Sequence, residues 1–331
     1  MSMKCQVYGK QEAIAEMNKL AKAGKEFVFI VSYNCEQTYI SEVNNLNPNE
    51  LLVAFPTFQN IEKECKVEEK TVKWSFVPPC RTKYEQAISY VKNRMRAGDS
   101  YLANLTCKVN IDTNLDLRDI FLRSKALYRC WLKDRFVCFS PEIFVRIDKG
   151  RISSYPMKGT IDATIDNAEI SLLGNEKEAA EHATIVDLIR NDLSMVATQV
   201  QVTKYRYIDR LTTNQGEILQ TSSEIQGRLT PYYQDHIGDL LFKLLPAGSI
   251  TGAPKPITMD IIAEAEKYNR GFYTGVMGHY AHGCLDSAVM IRFIDCEDGQ
   301  LYYKAGGGIT AKSNNGDEYQ EVKNKIYVPI Y

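Results

Sequence analysis

The chain predicts an α+β fold. Its strand-like segments, rich in β-branched and aromatic residues, follow one another as hairpins; helical segments interrupt them singly; and no regular strand–helix–strand spacing marks a parallel sheet. With 331 residues, 44% hydrophobic and 24% charged, the chain can bury a large core. A small N-terminal lobe is expected over residues 1–80, closing near Pro78-Pro79, with the larger region over 81–331 and the two intertwined in one fold.

The elements follow in order. Ile14, Met17, Leu20 and Ala21 recur at helical spacing over 11–23, and the apolar run 27–32 reads as a strand packed on that helix. Ala87, Ile88, Val91 and Met95 make 84–96 an amphipathic helix that Gly98 closes. Ala103, Leu105, Cys107, Val109 and Ile111 then alternate with Leu102, Asn104, Thr106 and Lys108, the period of a strand with one buried face. A strand over 136–140 and a hairpin over 143–157, turning at Asp148-Lys149-Gly150, continue an antiparallel sheet. Helices are expected at 176–195, 233–245, 256–268 and 316–327, and strands at 198–206, 217–229, 273–281, 286–295 and 301–304.

Charge and cysteine usage narrow the function class. A net charge of −1 offers no basic footprint for nucleic acid and no polybasic patch for an anionic membrane, which leaves small-molecule chemistry. No long apolar run or cleavable leader is visible, so the protein is expected in the cytoplasm. The nine cysteines (Cys5, Cys35, Cys65, Cys80, Cys107, Cys130, Cys138, Cys284 and Cys296) are odd in number and never spaced C-x-x-C, and read as reduced thiols. His182, His236, His279 and His282 do not form a zinc set, and the pair in His279-Tyr280-Ala281-His282 reads as strand residues.

Five segments carry chemistry. Tyr155-Pro156-Met157-Lys158-Gly159-Thr160 sets a lysine at the end of a hairpin strand, where it is either a turn-edge charge or, made neutral, a nucleophile. The others are Phe139-Ser140-Pro141-Glu142, the run EHATIVDLIRNDL over 181–193, PAGSITGAPK over 246–255, and AGGGIT over 305–310 followed by EYQEVKNK over 318–325. Glu318, Glu321 and Lys325 fall at i, i+3 and i+7, on one helix face; they are a solvated ion-paired stripe or the wall of a site. Glu181 stands on or near the apolar face of Ile185, Leu188 and Ile189 and needs a partner there, either Arg190, a backbone donor, or a hard divalent cation shared with Glu321. Arg190-Asn191-Asp192 is expected to brace that helix end. PAGSITGAPK lacks the lysine spacing of a nucleotide loop; Thr251 and Gly252 precede a helix start able to hold a carboxylate, or form a tight turn only.

In this order, these five motifs resemble those of the chorismate-utilising enzymes over roughly residues 84–327, and within that family most the branch of aminodeoxychorismate synthase component I, or p-aminobenzoate synthase component I. The resemblance implies a large mixed or antiparallel β-sandwich with helices outside, and a chorismate-binding catalytic region over 81–331. It implies that Lys158 attacks ring carbon C2 while Glu142 protonates the departing C4 hydroxyl; that Mg²⁺ sits on Glu181 and Glu321 with Glu318 beside them; and that Gly159, Thr160, Tyr273, Arg292, Gly306, Gly307, Gly308 and Lys325 hold the substrate. A glutamine amidotransferase subunit would supply ammonia. The anthranilate branch usually has alanine where Lys158 stands, and isochorismate synthases carry a water-activating lysine in the strand occupied here by Tyr101-Leu102-Ala103-Asn104. Gln220 stands where a histidine tied to pyruvate elimination is common. The expected reaction is therefore amination of chorismate for folate synthesis, with anthranilate synthesis or a noncatalytic chorismate-binding role as the alternatives.

Overall fold

The structure, a computed structural model, describes residues 6–62, 71–213 and 216–328. Cys5 and Cys65 lie outside them; Cys35, Cys80, Cys107, Cys130, Cys138, Cys284 and Cys296 are all free thiols. Two sheets form the centre. The ten-stranded sheet runs Val7–Tyr8, Thr38–Glu42, Phe27–Val31, Val276–Ala281, Cys284–Val289, Ile143–Asp148, Arg151–Ser154, Gly216–Leu229 and Met157–Asp162, with Ala197–Thr213 also paired to Gly216–Leu229. The eight-stranded sheet runs Gly252–Ala253, Leu102–Thr113, Gln300–Ile309, Phe293–Glu297, Phe136–Ser140, Tyr128–Leu132 and Leu51–Ala54, with Trp74–Phe76 added to Leu102–Thr113. Every pairing among the described strands is antiparallel.

The apolar residues explain the layering. Val28, Ile30 and Met277 of the first sheet share one buried cluster with Val53, Tyr128, Phe136 and Phe293 of the second, so the sheets pack face to face. The outer face of the first sheet buries Ile152 and Ile225 under Met17, Ile189 and Leu240 of helices Lys10–Lys22, Glu176–Ser194 and Ile237–Leu244. The outer face of the second buries Leu105, Val109 and Tyr303 under Ile88, Ile261 and Val322 of helices Arg81–Arg96, Lys255–Glu266 and Asn315–Asn324. The result is an α+β sandwich of four layers, helices on sheet on sheet on helices. Residues before 81 contribute strands to both sheets.

Three local departures from the expected elements shape the site. The strand expected over 286–295 is two strands, Cys284–Val289 in one sheet and Phe293–Glu297 in the other, because Arg292 adopts φ +56 and turns the chain across the gap. The strand expected over 301–304 runs on to Ile309, so the three glycines lie inside it, opposite Thr106, Leu105 and Asn104. Lys158 is the second residue of strand Met157–Asp162 rather than a strand end, and a bulge at Gly159, φ +78, shifts its register. The helix expected over 233–245 is likewise broken at His236, and His282 sits in a turn at φ +51.

Candidate active site

A cavity of about 170 Å³ opens where the two sheets diverge. Lys158 and Glu181 line it from the first sheet and its covering helix, and Gly306, Gly307, Gly308 and Lys325 from the second sheet and its helix. Glu142, Tyr273 and Arg292, all on connections between the sheets, complete the wall. Thus nine of the residues singled out in the sequence meet around one space. Thr160 is exposed and Gly159 is not on the lining; Glu318 and Glu321 stand behind Gly307, within 3.8 and 3.5 Å of the point a Cβ there would occupy.

The bulge directs Lys158 inward. Its Nζ lies 2.8 Å from Glu181 Oε2, the lysine side chain 24% exposed and the glutamate 8%. This pairing, not Arg190, satisfies Glu181; Arg190 binds Asp187 at 2.7 Å instead. Burial works to lower the lysine, but Glu181, with Glu321 and Glu178 beyond it, outweighs burial and raises the Lys158 pKa. The resting group is an ammonium.

Glu142 is also raised, but by burial itself. Burial raises its carboxyl above the ordinary value, against a hydrogen bond from Ser249 and the charges of Arg292, Lys325 and Lys158. Ser249 Oγ donates to Glu142 Oε1 at 2.6 Å, and the Glu142 backbone is pinned by Ser140 Oγ at 3.1 Å. A carboxyl shifted upward beside a cavity is suited to act as a general acid.

Two cationic side chains, Arg292 and Lys325, line the cavity on one wall: Lys325 Nζ binds Glu321 at 2.7 Å and the Gly306 carbonyl at 3.1 Å. Burial lowers Lys325, with Arg292 and Lys158 adding to that and Glu321 opposing it. For Arg292 burial is outweighed by Tyr303, Tyr327 and Tyr273, and its pKa is raised. Because the Gly306 carbonyl points away from the neighbouring strand toward Lys325, the N–H groups of Gly306 and Gly308 share that open edge. A Cβ at Gly308 would sit 3.6 Å from both Lys158 Nζ and Leu102 Cδ1, so Leu102 faces the lysine across a bare glycine.

Three contributors are not singled out as catalytic by the sequence. Glu178 Oε2 is buried without a hydrogen-bond partner, 3.3 Å from the point a Cβ of Gly159 would occupy. Its signal was available: Glu178-x-x-Glu181 repeats the spacing of Glu318-x-x-Glu321, and each pair lies on one face of its helix. Ser249 is hidden within a run whose backbone amides drew the attention. Asn104 lines the cavity with Oδ1 buried and unpartnered, while its backbone N–H donates to Thr251 and its carbonyl accepts from Arg270. PAGSITGAPK reaches the cavity through Ser249 and Ile250; its Lys255 instead braces Asp192 at 2.7 Å.

Two acidic pairs, from helices Glu176–Ser194 and Asn315–Asn324, therefore flank Lys158 and Gly307. As they stand, no three His, Cys, Asp or Glu side chains among the described residues are gathered as a metal set, and Glu181 and Glu321 are paired with Lys158 and Lys325. The orphaned Glu178 oxygen is the feature that fits a hard cation.

The cavity brings together paired carboxylates, a buried carboxyl shifted upward, an enclosed lysine and the Arg292 guanidinium. Comparison with known proteins makes this specific. Residues 41–330 match the chorismate binding enzyme family, and the chain belongs to it. It is 47% identical to a Haemophilus influenzae protein described as an uncharacterized PabA-like protein, over 97% of each chain. It is 33% identical to aminodeoxychorismate synthase component 1 of Salmonella typhimurium over 74% of this chain and 56% of that one, and 32% identical to anthranilate synthase component 1 of Acetivibrio thermocellus over 89% and 62%. The fold matches anthranilate synthase component I from Streptococcus pneumoniae, with a TM-score of 0.71 and 24% identity over 92% of this chain and 80% of that one. It also matches the menaquinone-specific isochorismate synthase of Escherichia coli, with a TM-score of 0.71 and 15% identity over 97% and 82%.

Proposed function

We propose that the protein aminates chorismate to 4-amino-4-deoxychorismate, the step that leads toward p-aminobenzoate and folate. The observation that carries this reading is Lys158 inside the cavity with Leu102, not a base, facing it across Gly308. A leucine cannot activate water, and an enclosed lysine can attack carbon.

Arg292, Lys325 and Tyr273 would hold the enolpyruvyl carboxylate, with the open amides of Gly306 and Gly308 on the same wall. Lys158 Nζ forms the bond to C2, the two ring double bonds move one position each toward C4, and the C4–O bond breaks as Glu142 delivers its proton, releasing water. Ammonia then bonds to C4, the double bonds move back, and the C2–N bond returns its electrons to Lys158. The lysine must first lose a proton; Glu181 opposes that and burial favours it, so withdrawing the Glu181 carboxylate from Nζ frees the amine. Glu181 and Glu321, with Glu178 and Glu318 beside them, would hold Mg²⁺, which supplies positive charge for the ring carboxylate. Ammonia is expected from a separate glutamine amidotransferase subunit.

Mass analysis of the product formed from chorismate, Mg²⁺ and ammonium tests the reading. Expected is a product in which an amine replaces the C4 hydroxyl. Anthranilate would favour the anthranilate branch, to which the chain is also similar over most of its length. Chorismate binding with no turnover would favour a noncatalytic subunit.

A further inference from the structure

A second, much smaller cavity adjoins the catalytic one. It shares Glu142, Pro156 and Ser249 with it and extends away behind Glu142. Phe144, Val145, Ile189, Leu193, Leu244 and Ala247 give it apolar walls, and its far end reaches Asp192. Asp192 is paired there with Lys255 at 2.7 Å, the two side chains 16% and 17% exposed. Its free volume is about 20 Å³, enough for one molecule the size of water.

Resting on the amination reading, we propose that this side cavity is the binding pocket for the incoming ammonia. Size is the first argument: a space for one small molecule admits ammonia and excludes amines with a carbon substituent. Polarity is the second. The polar side chains of the lining are already engaged, Asp192 by Lys255, Glu142 by Ser249 and Ser154 by the Phe144 carbonyl, and the remaining apolar walls disfavour a charged ammonium, whereas neutral ammonia, the species with a lone pair to donate, crosses them at little cost. Position is the third, since the only polar groups shared with the catalytic cavity are Glu142 and the Ser249 hydroxyl bound to it.

The proton inventory closes at this point, the proton that Lys158 sheds to solvent before its attack being regained from solvent once the free amine is released. Glu142 gives its proton to the departing C4 hydroxyl, which leaves as water, and becomes a carboxylate. Ammonia arriving beside that carboxylate forms the C4–N bond with its lone pair. The electrons pass back through the ring to break the C2–N bond, leaving Lys158 as a neutral amine. The surplus proton on the new C4 nitrogen returns to Glu142, which is then ready for the next cycle. Ser249 keeps the receiving oxygen facing the small cavity's mouth.

Steady-state kinetics with chorismate, Mg²⁺ and ammonium chloride test the proposal on the full chain. Ala247→Val and Val145→Ile each add methyl or methylene volume to the pocket without touching the catalytic residues. The expected result is a KM for ammonia raised at least tenfold, with the KM for chorismate and the melting temperature close to wild type. Should one variant fold poorly, the other carries the test. Methylamine should not replace ammonia in the wild type. If the wild type aminates chorismate but both folded variants keep its ammonia KM, or methylamine is used as well as ammonia, the pocket assignment is overturned. If the wild type forms no aminated product, the functional reading falls and the pocket with it.

Discussion

At the scale of single residues, identity was legible and environment was not. Lys158, Glu142 and Glu181 stand out in the sequence, yet only the structure shows that Glu181 pairs with the lysine and raises its pKa, and that burial raises the Glu142 carboxyl. The Glu142 shift defines the first prediction. A carboxyl whose folded pKa is raised gains nothing above that value: stability from its proton is full below the ordinary carboxylate pKa and falls as pH rises toward the folded value. Glu142→Gln removes that loss, so at neutral pH it should melt at or above the wild-type temperature while turnover falls by about 10²- to 10⁴-fold, the usual worth of a general acid. Thermal melts beside rate measurements check both halves; an active Glu142→Gln enzyme removes the acid role. The second prediction concerns Lys158→Ala. It should abolish amination, and it removes the ammonium paired with the 8%-exposed Glu181 carboxylate, so it should also cost about 1–3 kcal/mol, below the range of a fully buried pair because the lysine is a quarter exposed. Denaturant titration reads that cost. Lys158→Ala with wild-type turnover would exclude covalent catalysis.

At the scale of elements, periodicity located most helices and strands, and missed the places where backbone conformation rather than side-chain pattern decides. Nothing in the apolar run around Arg292 announces a left-handed residue that sends the chain from one sheet to the other. In sequence, three glycines in a row fit a flexible hairpin end as readily as an anion site; pairing with 104–106 makes them a strand. Their roles within that strand differ, which gives the third prediction. A Cβ at Gly306 would lie 2.5 Å from Thr106 Cγ2 and 2.7 Å from the Leu105 carbonyl, so Gly306→Ala must push the strands apart. A Cβ at Gly308 meets nothing closer than 3.6 Å, but it lies in the space between Lys158 and Leu102. Gly306→Ala should therefore lower the melting temperature, whereas Gly308→Ala should fold normally and raise the KM for chorismate several-fold. The reverse pattern would remove the glycines from the substrate wall.

At the scale of the whole molecule, the α+β class followed from strand and helix order, but the four layers did not, because sequence shows which face of a strand is apolar and not what covers it. Strand Leu102–Thr113 is the example: Leu102 and Asn104, on the face opposite the apolar alternation, are not solvent-facing but line the cavity. That inner wall determines the reaction's outcome. Anthranilate formation requires loss of pyruvate, which needs a group to move a proton from the ring. Gln220 is nearly buried, paired between Thr160 and Asp209, and is not on the cavity lining, and an amide cannot shuttle protons as an imidazole does. His182, the histidine next to Glu181, is turned to Ser223 at 2.6 Å, is not on the cavity lining, and is pushed down to about 4 by burial, with Arg206 and Lys158 adding to it, which leaves it a weak base. The last prediction is that the product keeps its enolpyruvyl ether. Lactate dehydrogenase coupled to the reaction with chorismate, Mg²⁺ and ammonium should register no pyruvate until a separate lyase is added. Gln220→His alone should leave that result unchanged, because Lys158 still directs nitrogen to C4. Pyruvate appearing with anthranilate fluorescence from the unmodified chain would reassign it to the anthranilate branch.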